Sequence, residues 1–122
     1  MNARGVLHVS LNREENIGLV LILSGTGWGP VHFKQSVHDA KMLLKSSSES
    51  IGLAVIDYDS YGKEGLVLAG YLQSQYPYIE LALVTEDVAS VQDKLAYFPR
   101  CRLIQGPILD RQKVLGKLAS VA

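Results

Sequence analysis

The chain of 122 residues has a single cysteine, Cys101, and no excess of either charge. One cysteine excludes a disulfide within the chain and any metal site built from several cysteines. Lys and Arg together number 12, as do Asp and Glu, so the formal net charge is zero. This balance gives no sign of a basic surface, and we expect no nucleic-acid partner. Cys101 follows Pro99-Arg100, and we predict a small residue in the core or at its rim rather than a reactive thiol.

Long apolar runs are also absent. The longest covers residues 17–23, interrupted by Gly18, and is too short to cross a membrane. Residues 1–5 are too few and too polar to begin a secretory signal. We therefore expect a cytoplasmic protein that does not contact a membrane. Because 48% of the residues are apolar, the chain can bury a substantial core, and its length predicts one domain over residues 1–122.

Short apolar segments alternate with segments of helical pattern. The sequence predicts strands over residues 5–9, 30–35, 51–57, 79–84 and 102–105, and helices over 17–23, 37–45, 65–75, 88–97 and 109–119. The run 17–23 fits a strand or a helix by periodicity alone. A helix is favoured by Asn12 as an N-cap, by Glu14 and Glu15 in a first turn and by the glycine-rich stop at 24–27. Five βα units predict an α/β fold, a doubly wound parallel sheet with helices on both faces. The serines at 46–48 are predicted to form a solvated loop.

The run 53–56 ends on an acid, Asp57, and turn-like residues follow at 60–65. Such a run is typical of a strand buried on both faces. An acid at its end lies at the edge where open α/β sheets place their chemistry. Two interpretations of Asp57 stay open: a phosphate acceptor, working or vestigial, or an acid that is solvated or bonded to nearby backbone.

With these strand-end residues the chain resembles the receiver domain of bacterial two-component response regulators, from about residue 6 to about residue 118. The resemblance implies the flavodoxin-like strand order 2-1-3-4-5. It aligns Asp57 with the family's acceptor aspartate and Thr85 with its hydroxyl residue. Pro107 aligns with a proline whose preceding peptide bond is usually cis in the family. Residues 62–65 look like the family's loop after the third strand.

Four family positions are altered. The acidic pair aligns with Ser10 and Leu11, the lysine with Gly106 and the aromatic residue of the fifth strand with Leu103. In the family, the acidic pair, the acceptor and a backbone carbonyl, here that of Asp59, hold Mg²⁺, and the lysine neutralises the phosphoryl group. Losing one preorganised charge at such a site costs roughly 3 kcal/mol of transition-state stabilisation. We expect no cofactor, with Mg²⁺ binding only if the site is functional.

Three acids are weak candidates for supplying a cation-binding carboxylate in place of the missing acidic pair. Glu14 or Glu15 can turn toward the strand ends in place of the acidic pair, although both also fit a simple role in a first helical turn. The Asp59 side chain can also reach a cation. The candidate metal set is therefore Asp57, Asp59 and Glu14. Thr85, before Glu86-Asp87, equally fits a loop or cap hydroxyl.

Other sequence features have simpler interpretations. The glycine-rich residues 24–29 lack the lysine and the spacing of a phosphate-binding loop, so we predict a helix-to-strand connection anchored by Trp28. His8, His32 and His38 do not have metal-ligand spacing, and His8 is predicted to be a hydrogen-bonded interior residue. Five consecutive apolar residues at 19–23 leave one or two pointing outward. They form a partner or dimer surface, or neighbours cover them.

The leading hypothesis is an atypical receiver domain, a signalling module that binds proteins and does not use ordinary Mg²⁺-dependent aspartyl phosphorylation. Its partner would be a histidine kinase, an output domain, another regulator or a second copy, and it would not be an enzyme. The face used by the family for dimers and partners, around the fourth helix, fifth strand and fifth helix, is one candidate surface. The first alternative is a working receiver phosphorylated on Asp57 by a histidine kinase. The second is a small flavodoxin-like enzyme or ligand-binding protein, although no nucleophile with a paired base is evident.

Overall fold

The computed structural model describes residues 3–106. Five strands alternate with helices along this part of the chain. The order is β1 (Gly5–Val9), α1 (Arg13–Leu23), β2 (Val31–Lys34), α2 (Val37–Ser47), β3 (Ile51–Asp57), α3 (Tyr58–Tyr61), α4 (Lys63–Gln75), β4 (Glu80–Thr85), α5 (Val88–Gln92) and β5 (Cys101–Gln105). Single 3₁₀ segments, Ser48–Ser50 and Asp93–Tyr97, follow α2 and α5.

The strands form one parallel sheet in the order β2-β1-β3-β4-β5. This confirms the predicted α/β class, the parallel pairing and the strand order. In the register, His8 lies opposite Val55, Asp57 opposite Val84 and Thr85 opposite Gln105. The ends of β1, β3, β4 and β5 therefore come to one edge of the sheet.

Both faces of the sheet are covered, as a doubly wound fold requires. On one face, Leu19, Ile22 and Leu23 of α1 pack against side chains such as Val55. On the other face, α2, α4 and α5 pack against the alternate side chains of the same strands, with Leu44, Leu68, Leu72 and Val91 against Leu7, Val9, Ala54, Ile56 and Leu83. Every residue of β1 and β3 is buried, which explains why His8 and Asp57 are the only polar side chains in these two strands.

The predicted start of α1 is confirmed in detail. The Asn12 side chain accepts a hydrogen bond of 3.1 Å from the backbone N–H of Glu15, and Glu14 and Glu15 occupy the first turn. This satisfies one of the free N–H groups of the helix end, and the two acids suit the positive end of the helix dipole. The run 17–23 is therefore helical because its start signals decide an ambiguous pattern.

Several predicted bounds are wrong. Ser46 and Ser47 belong to α2 and Ser48 begins a 3₁₀ turn, so the serines do not form the solvated loop that was predicted. Residues 60 and 61, expected to be turn-like, belong to the short helix α3, because Asp57 caps this helix with its own side chain. The helix predicted over 88–97 divides into α5 and a 3₁₀ segment. The predicted helix 109–119 and Pro107 lie outside the described residues.

At the opposite edge of the sheet, β1 and β3 approach other backbone very closely. A Cβ atom at Gly52 would collide with the carbonyl oxygen of Ala3, so glycine is required there. The Trp28 ring lies over Gly52, and the Arg4 guanidinium lies 4.8 Å from the ring centroid. Trp28 thus anchors the glycine-rich connection against the sheet, as predicted. No helix within residues 3–106 has the length and apolarity needed to cross a membrane.

Candidate functional site

The candidate site lies at the carboxyl ends of the strands. The chain leaves β1 into a helix on one face of the sheet and leaves β3 into helices on the other face. Such a reversal between neighbouring strands opens a crevice, which is where open α/β sheets bind ligands. Ser10 follows β1 and Asp57 ends β3, so these two side chains flank the crevice.

Asp57 is nearly buried, with 6% of its surface exposed, and both of its carboxyl oxygens are hydrogen-bonded. Oδ2 accepts bonds from the Ser10 hydroxyl at 3.0 Å and the Ser60 hydroxyl at 2.7 Å. Oδ1 accepts a bond of 3.1 Å from the backbone N–H of Asp59. All three donors are uncharged. The predicted backbone-bonded role of Asp57 is therefore present, with two hydroxyls added to it.

The two serines also fix the loop that follows β1. The Ser60 oxygen accepts a 3.1 Å bond from the backbone N–H of Leu11. The Ser10 oxygen accepts a 3.0 Å bond from the backbone N–H of Asn12. Each hydroxyl thus donates to Asp57 and accepts from the β1–α1 loop, while the Leu11 side chain is 56% exposed. Asp57 consequently ties the end of β1 to the end of β3.

Asp59 makes the corresponding connection to β4. Its Oδ1 accepts a 2.7 Å bond from the Thr85 hydroxyl, and its Oδ2 accepts a 2.8 Å bond from the backbone N–H of Glu86. The Thr85 oxygen in turn accepts a 3.1 Å bond from the N–H of Asp87. Thr85, the last residue of β4, therefore links Asp59 to the loop that follows β4, and the Asp59 carboxylate has a protein donor on each oxygen.

The end of β5 joins the same series of bonds. The N–H of Gly106 donates to the Thr85 carbonyl at 2.8 Å, and the Gln105 side-chain amide donates to the Glu86 carbonyl at 2.7 Å. A Cβ atom at Gly106 would lie 3.2 Å from Cγ1 of Val84, a tight contact. We call the bonded side chains of Ser10, Asp57, Asp59, Ser60, Thr85 and Gln105 the strand-end network. Leu103 is half-buried on β5 against the core of the other layer.

An open depression of about 600 Å³ lies over Asp57. Its lining comprises four of the predicted positions, Leu11, Glu14, Asp57 and Asp59, and four more polar residues, Asn12, Arg13, Gln35 and Ser60. Thr85 and Gly106 are connected to it through Asp59 but do not line it. Glu14 is exposed at its wall, whereas Glu15 points into the protein. The alternative in which Glu15 replaces the acidic pair is therefore wrong.

The donor set does not fit Mg²⁺, which prefers a cluster of carboxylate oxygens and waters. Ser10 is turned toward Asp57 as a hydrogen-bond donor, Leu11 has no ligand atom, and the Asp59 oxygens are committed to Thr85 and Glu86. Within residues 3–106, no three His, Cys, Asp or Glu side chains form a group that could hold a metal ion. We derive no chemistry through a metal at this site.

His8 is the predicted interior histidine. It is fully buried, with Nε2 3.1 Å from Oε1 of Glu15 and Nδ1 3.0 Å from Oδ1 of Asn16. The Phe33 ring lies 5.7 Å from it. These contacts explain why Glu15 faces inward, because its carboxylate bonds to His8 and so links α1 to β1. His32, on the edge strand β2, is half-buried.

Burial raises the pKa of two side chains, Cys101 and Tyr61, which pack on the face of the sheet that α2, α4 and α5 cover. It raises the pKa of the Cys101 thiol to about 12, against a smaller opposite effect of the backbone at Leu83. The thiol is thus kept neutral, in line with the prediction that it is not reactive. Burial also raises the pKa of Tyr61 to about 12, and the negative charge of Asp57 adds to this shift. The Tyr61 hydroxyl is buried without a hydrogen-bond partner.

Two features of the site were missed from the sequence. Ser60 was treated as a turn residue, although Asp57-x-x-Ser60 has the spacing of a helix start, at which an acid caps the first turn. The Asp59 side chain was considered only as a cation ligand, and its bonds to Thr85 and Glu86 join residues 26 and 27 positions apart. No local pattern encodes such a pairing.

Comparison of the chain with protein-family models, with curated proteins and with solved structures gives no match.

Proposed function

We propose that this chain is an atypical receiver-like domain that works in signal transduction by binding proteins, without Mg²⁺-dependent phosphorylation of Asp57. One observation carries the proposal. At the position of the acceptor, both carboxyl oxygens are engaged by uncharged donors, Ser10, Ser60 and the N–H of Asp59. Neutral hydrogen bonds occupy the places where charge compensation would be needed.

The chemistry of phosphoryl transfer explains why this matters. The transferred group carries several negative charges, and catalysis rests on cations and donors positioned around it. Asp57, Asp59 and Glu14 place three acids in the wall of the depression, with Arg13 as the cationic lining residue. Placing a phosphoryl group on Asp57 would add charge to an acidic surface and break the bonds to two serines. Arg13 on the depression wall replaces neither the metal nor an ammonium at position 106, directly after β5.

The strand order and the positions of Asp57, Thr85 and Gly106 support the receiver-like assignment by analogy of fold. A module with this fold and no working acceptor transmits information through its surface. The proposed partner is a protein of the same signalling system, and the domain is proposed not to be an enzyme.

The test is incubation of the full chain with a small phosphodonor, such as acetyl phosphate, and Mg²⁺, followed by intact-mass measurement. We expect no gain in mass, both for the wild type and for Asp57→Asn. The same reaction with a broad panel of phosphorylated histidine kinases extends the test to enzyme donors. A stoichiometric phosphoryl group on the wild type that is absent from Asp57→Asn would establish the alternative, a working receiver.

The depression over Asp57 gives the ligand-binding alternative its own test. A thermal-shift screen of nucleotides, flavins and small acids against the wild type is expected to show no stabilisation. A ligand that raises the melting temperature of the wild type but not that of Arg13→Ala would favour the small-molecule function and contradict the interaction module.

A further inference from the structure

His8 is a fully buried histidine whose two ring nitrogens both face side chains of α1. Nε2 lies 3.1 Å from Oε1 of Glu15, and Nδ1 lies 3.0 Å from Oδ1 of Asn16. The Glu15 side chain is only 8% exposed, whereas Asn16 is half-buried. We call these three residues the His8 cluster. It lies outside the strand-end network, and the proposed function makes no use of it.

The cluster is fully bonded when both ring nitrogens of His8 direct a hydrogen outward. Nε2 is then bonded to the Glu15 carboxylate, and Nδ1 donates to Oδ1 of Asn16, as the amide is oriented in the structure. A bond between a charged imidazole and a carboxylate is stronger than one between neutral groups. We call this arrangement the proton-rich state.

Loss of one proton to solvent leaves a single hydrogen on the His8 ring. The ionised Glu15 carboxylate accepts but does not donate, so the hydrogen stays on Nε2 and Nδ1 becomes an acceptor. Oδ1 of Asn16 would then face a bare nitrogen, and two acceptors without a hydrogen between them are costly in a buried position. Turning the Asn16 amide end for end restores the bond, because its NH₂ group donates to Nδ1. The cluster therefore has two fully bonded states that differ by one proton and by the orientation of Asn16.

The surroundings of His8 leave Glu15 as its charged neighbour among the described residues that pair with it. From β2, Phe33 lies opposite His8 in register, with its ring 5.7 Å away, and from β3 the register partner is Val55. Neither residue carries a charge. Helix α1 supplies Glu15 and the uncharged Asn16. Within this group, the gain or loss of a proton therefore belongs to His8 and Glu15 together.

Hydrogen bonds connect the cluster to the wall of the depression over Asp57. The N–H of Glu15 donates to Oδ1 of Asn12, and the N–H of Asn16 donates to the Asn12 carbonyl at 3.3 Å. The N–H of Asn12 in turn donates to Ser10, which donates to Asp57. Asn12 lines the depression. A change in how the first turn of α1 is held on β1 therefore reaches this wall.

We propose that the His8 cluster is a proton-dependent switch. Loss of one proton turns the Asn16 amide and weakens the attachment of the first turn of α1 to β1, because the charge-assisted bond to Glu15 becomes a weaker one. Histidine ordinarily changes charge between about pH 5 and 8, so the switch responds in a physiological range. The proposal goes beyond the proposed function and is independent of whether Asp57 accepts a phosphoryl group.

NMR of the histidine ring nitrogens and side-chain amides of the full wild-type chain, from about pH 5 to 9, tests the switch directly. We expect neutral His8 to carry its hydrogen on Nε2, and the side-chain amide of Asn16 to shift at the pH at which His8 changes charge. His38, which is exposed on α2, is the internal control, since its titration should leave Asn16 unchanged. The proposal is overturned by a neutral His8 with its hydrogen on Nδ1, by an Asn16 amide that does not follow His8, or by a His8 that keeps one charge state throughout.

Asn16→Asp removes one of the two states. The new carboxylate accepts but does not donate, so it suits the proton-rich state and leaves Nδ1 of neutral His8 facing an acceptor. The folded chain then favours the charged ring, and this stabilisation is present at low pH and lost as the pH rises. We expect the melting temperature of Asn16→Asp, measured against the wild type at each pH, to fall by several degrees between about pH 5.5 and 8.5.

Gln92→Glu is the matched control for that substitution, because it adds the same charge at an exposed position of α5. Its melting temperature relative to the wild type should not fall over the same range. Equal pH dependence of the two variants would contradict the switch, since the effect would then come from net charge alone.

Hydrogen exchange of the wild type tests the effect on α1. After correction for the intrinsic pH dependence, protection of the amides of Asn16 and its neighbours in the first two turns of α1 should fall at least about threefold from pH 5.5 to 8.5. Protection in α2, which carries the exposed His38, should stay constant. Unchanged protection in α1 would mean that the proton does not control its attachment, and would overturn the proposal.

Discussion

The carboxylate of Asp57 accepts bonds from three donors, and none of them can be exchanged for an acceptor. Ser10 and Ser60 each use their oxygen to hold a backbone N–H of the loop after β1, so their hydrogens are directed at Asp57. The third donor is a backbone N–H. Position 57 therefore requires a side chain with two terminal atoms that both accept hydrogen bonds, as the oxygens of a carboxylate do.

Asp57→Asn is expected to lower the free energy of unfolding by about 1 to 3 kcal/mol, because its NH₂ group must face one of these donors and leave it unpaired. Urea denaturation followed by circular dichroism measures the change. Asp93→Asn is the control, since Asp93 is exposed and its loss of charge should alter stability by less than about 0.5 kcal/mol. Equal effects of the two substitutions would contradict a structural role for Asp57.

Cys101 makes stability depend on pH in the alkaline range. Its pKa is raised from an ordinary 9.0 to about 12 by burial, so the unfolded chain loses the thiol proton at a lower pH than the folded chain does. The stabilisation is complete below about pH 9 and is lost as the pH rises from there toward 12. Tyr61, with a pKa raised from 10.0 to about 12, adds a similar loss at somewhat higher pH.

We therefore expect the urea midpoint of the wild type to fall between pH 8.5 and about pH 10.5, and that of Cys101→Ala to fall less steeply. Each variant is compared with itself at pH 8, which removes the cost of the cavity left by the substitution. Parallel curves for the two proteins would mean that the thiol ionises as easily in the folded chain as in the unfolded one.

Two glycines, Gly52 in β3 and Gly70 in α4, differ in how closely other atoms approach them. At Gly52 in β3 any Cβ would meet the Ala3 carbonyl, whereas a Cβ at Gly70 in α4 would meet only a Phe98 ring carbon at 3.6 Å, an ordinary contact. Both positions are glycine, but for different reasons: one needs the space and the other does not.

Gly70→Ala is expected to stabilise the protein by about 0.5 to 1 kcal/mol, because alanine is the better helix former. Gly52→Ala is expected to destabilise it by at least about 2 kcal/mol, because β3 must move away from residue 3. Thermal and urea unfolding of the two variants beside the wild type measure both signs. A neutral Gly52→Ala would show that the amino ends of β1 and β3 are loosely held.

The elements that the sequence predicted best are those whose signals are local. The bounds of β1 and β3 are as predicted, because both strands are buried on both faces, and Ser10 follows β1 while Asp57 ends β3. The N-cap at Asn12 correctly predicts a helix for residues 17–23, whose apolar pattern alone also fits a strand. Helix α3 was missed because its cap, Asp57, had been interpreted only as a strand-end acid. The serines at 46–48 are predicted as a loop, but Ser46 and Ser47 complete α2, where the Ser46 hydroxyl donates to the Leu43 carbonyl of the same helix.

In the molecule as a whole, the central strands of the sheet are more deeply buried than the edge strand β2. Every residue of β1 and β3 is buried, while all four residues of β2 are half-buried. The central strands also pair on both sides, whereas β2 pairs with β1 alone among the described strands. Local opening should therefore start at β2.

Hydrogen exchange followed by mass spectrometry is expected to show the slowest amides in β1, β3 and β4 and faster exchange in β2. Adding acetyl phosphate and Mg²⁺ should leave this pattern unchanged, since the proposed function has no phosphorylated state. β2 amides as slow as those of β3 would contradict the first expectation, and altered exchange at the strand ends would contradict the second.

The strand order followed from the resemblance and is confirmed, but the connections across the strand ends were beyond the sequence. Ser60 is three residues from Asp57 in the sequence, so their hydrogen bond has a local sequence pattern. Ser10 is 47 residues from Asp57, and their bond has none. Thr85 and Asp59 come together only when β3 and β4 are paired in register. Position along the chain predicts which residues reach the edge, and only the folded sheet decides which of them bond.

The strand-end network also limits how this sequence can change. Building a cation-holding centre at these strand ends would need carboxylates at 10 and 11, an ammonium at 106 where a Cβ is already tight against Val84, and an Asp59 released from Thr85. Each of these replacements made alone removes an existing bond or adds an unbalanced charge before any new chemistry is gained. Single substitutions therefore do not lead this sequence to a metal-binding centre, because several of them would have to occur together.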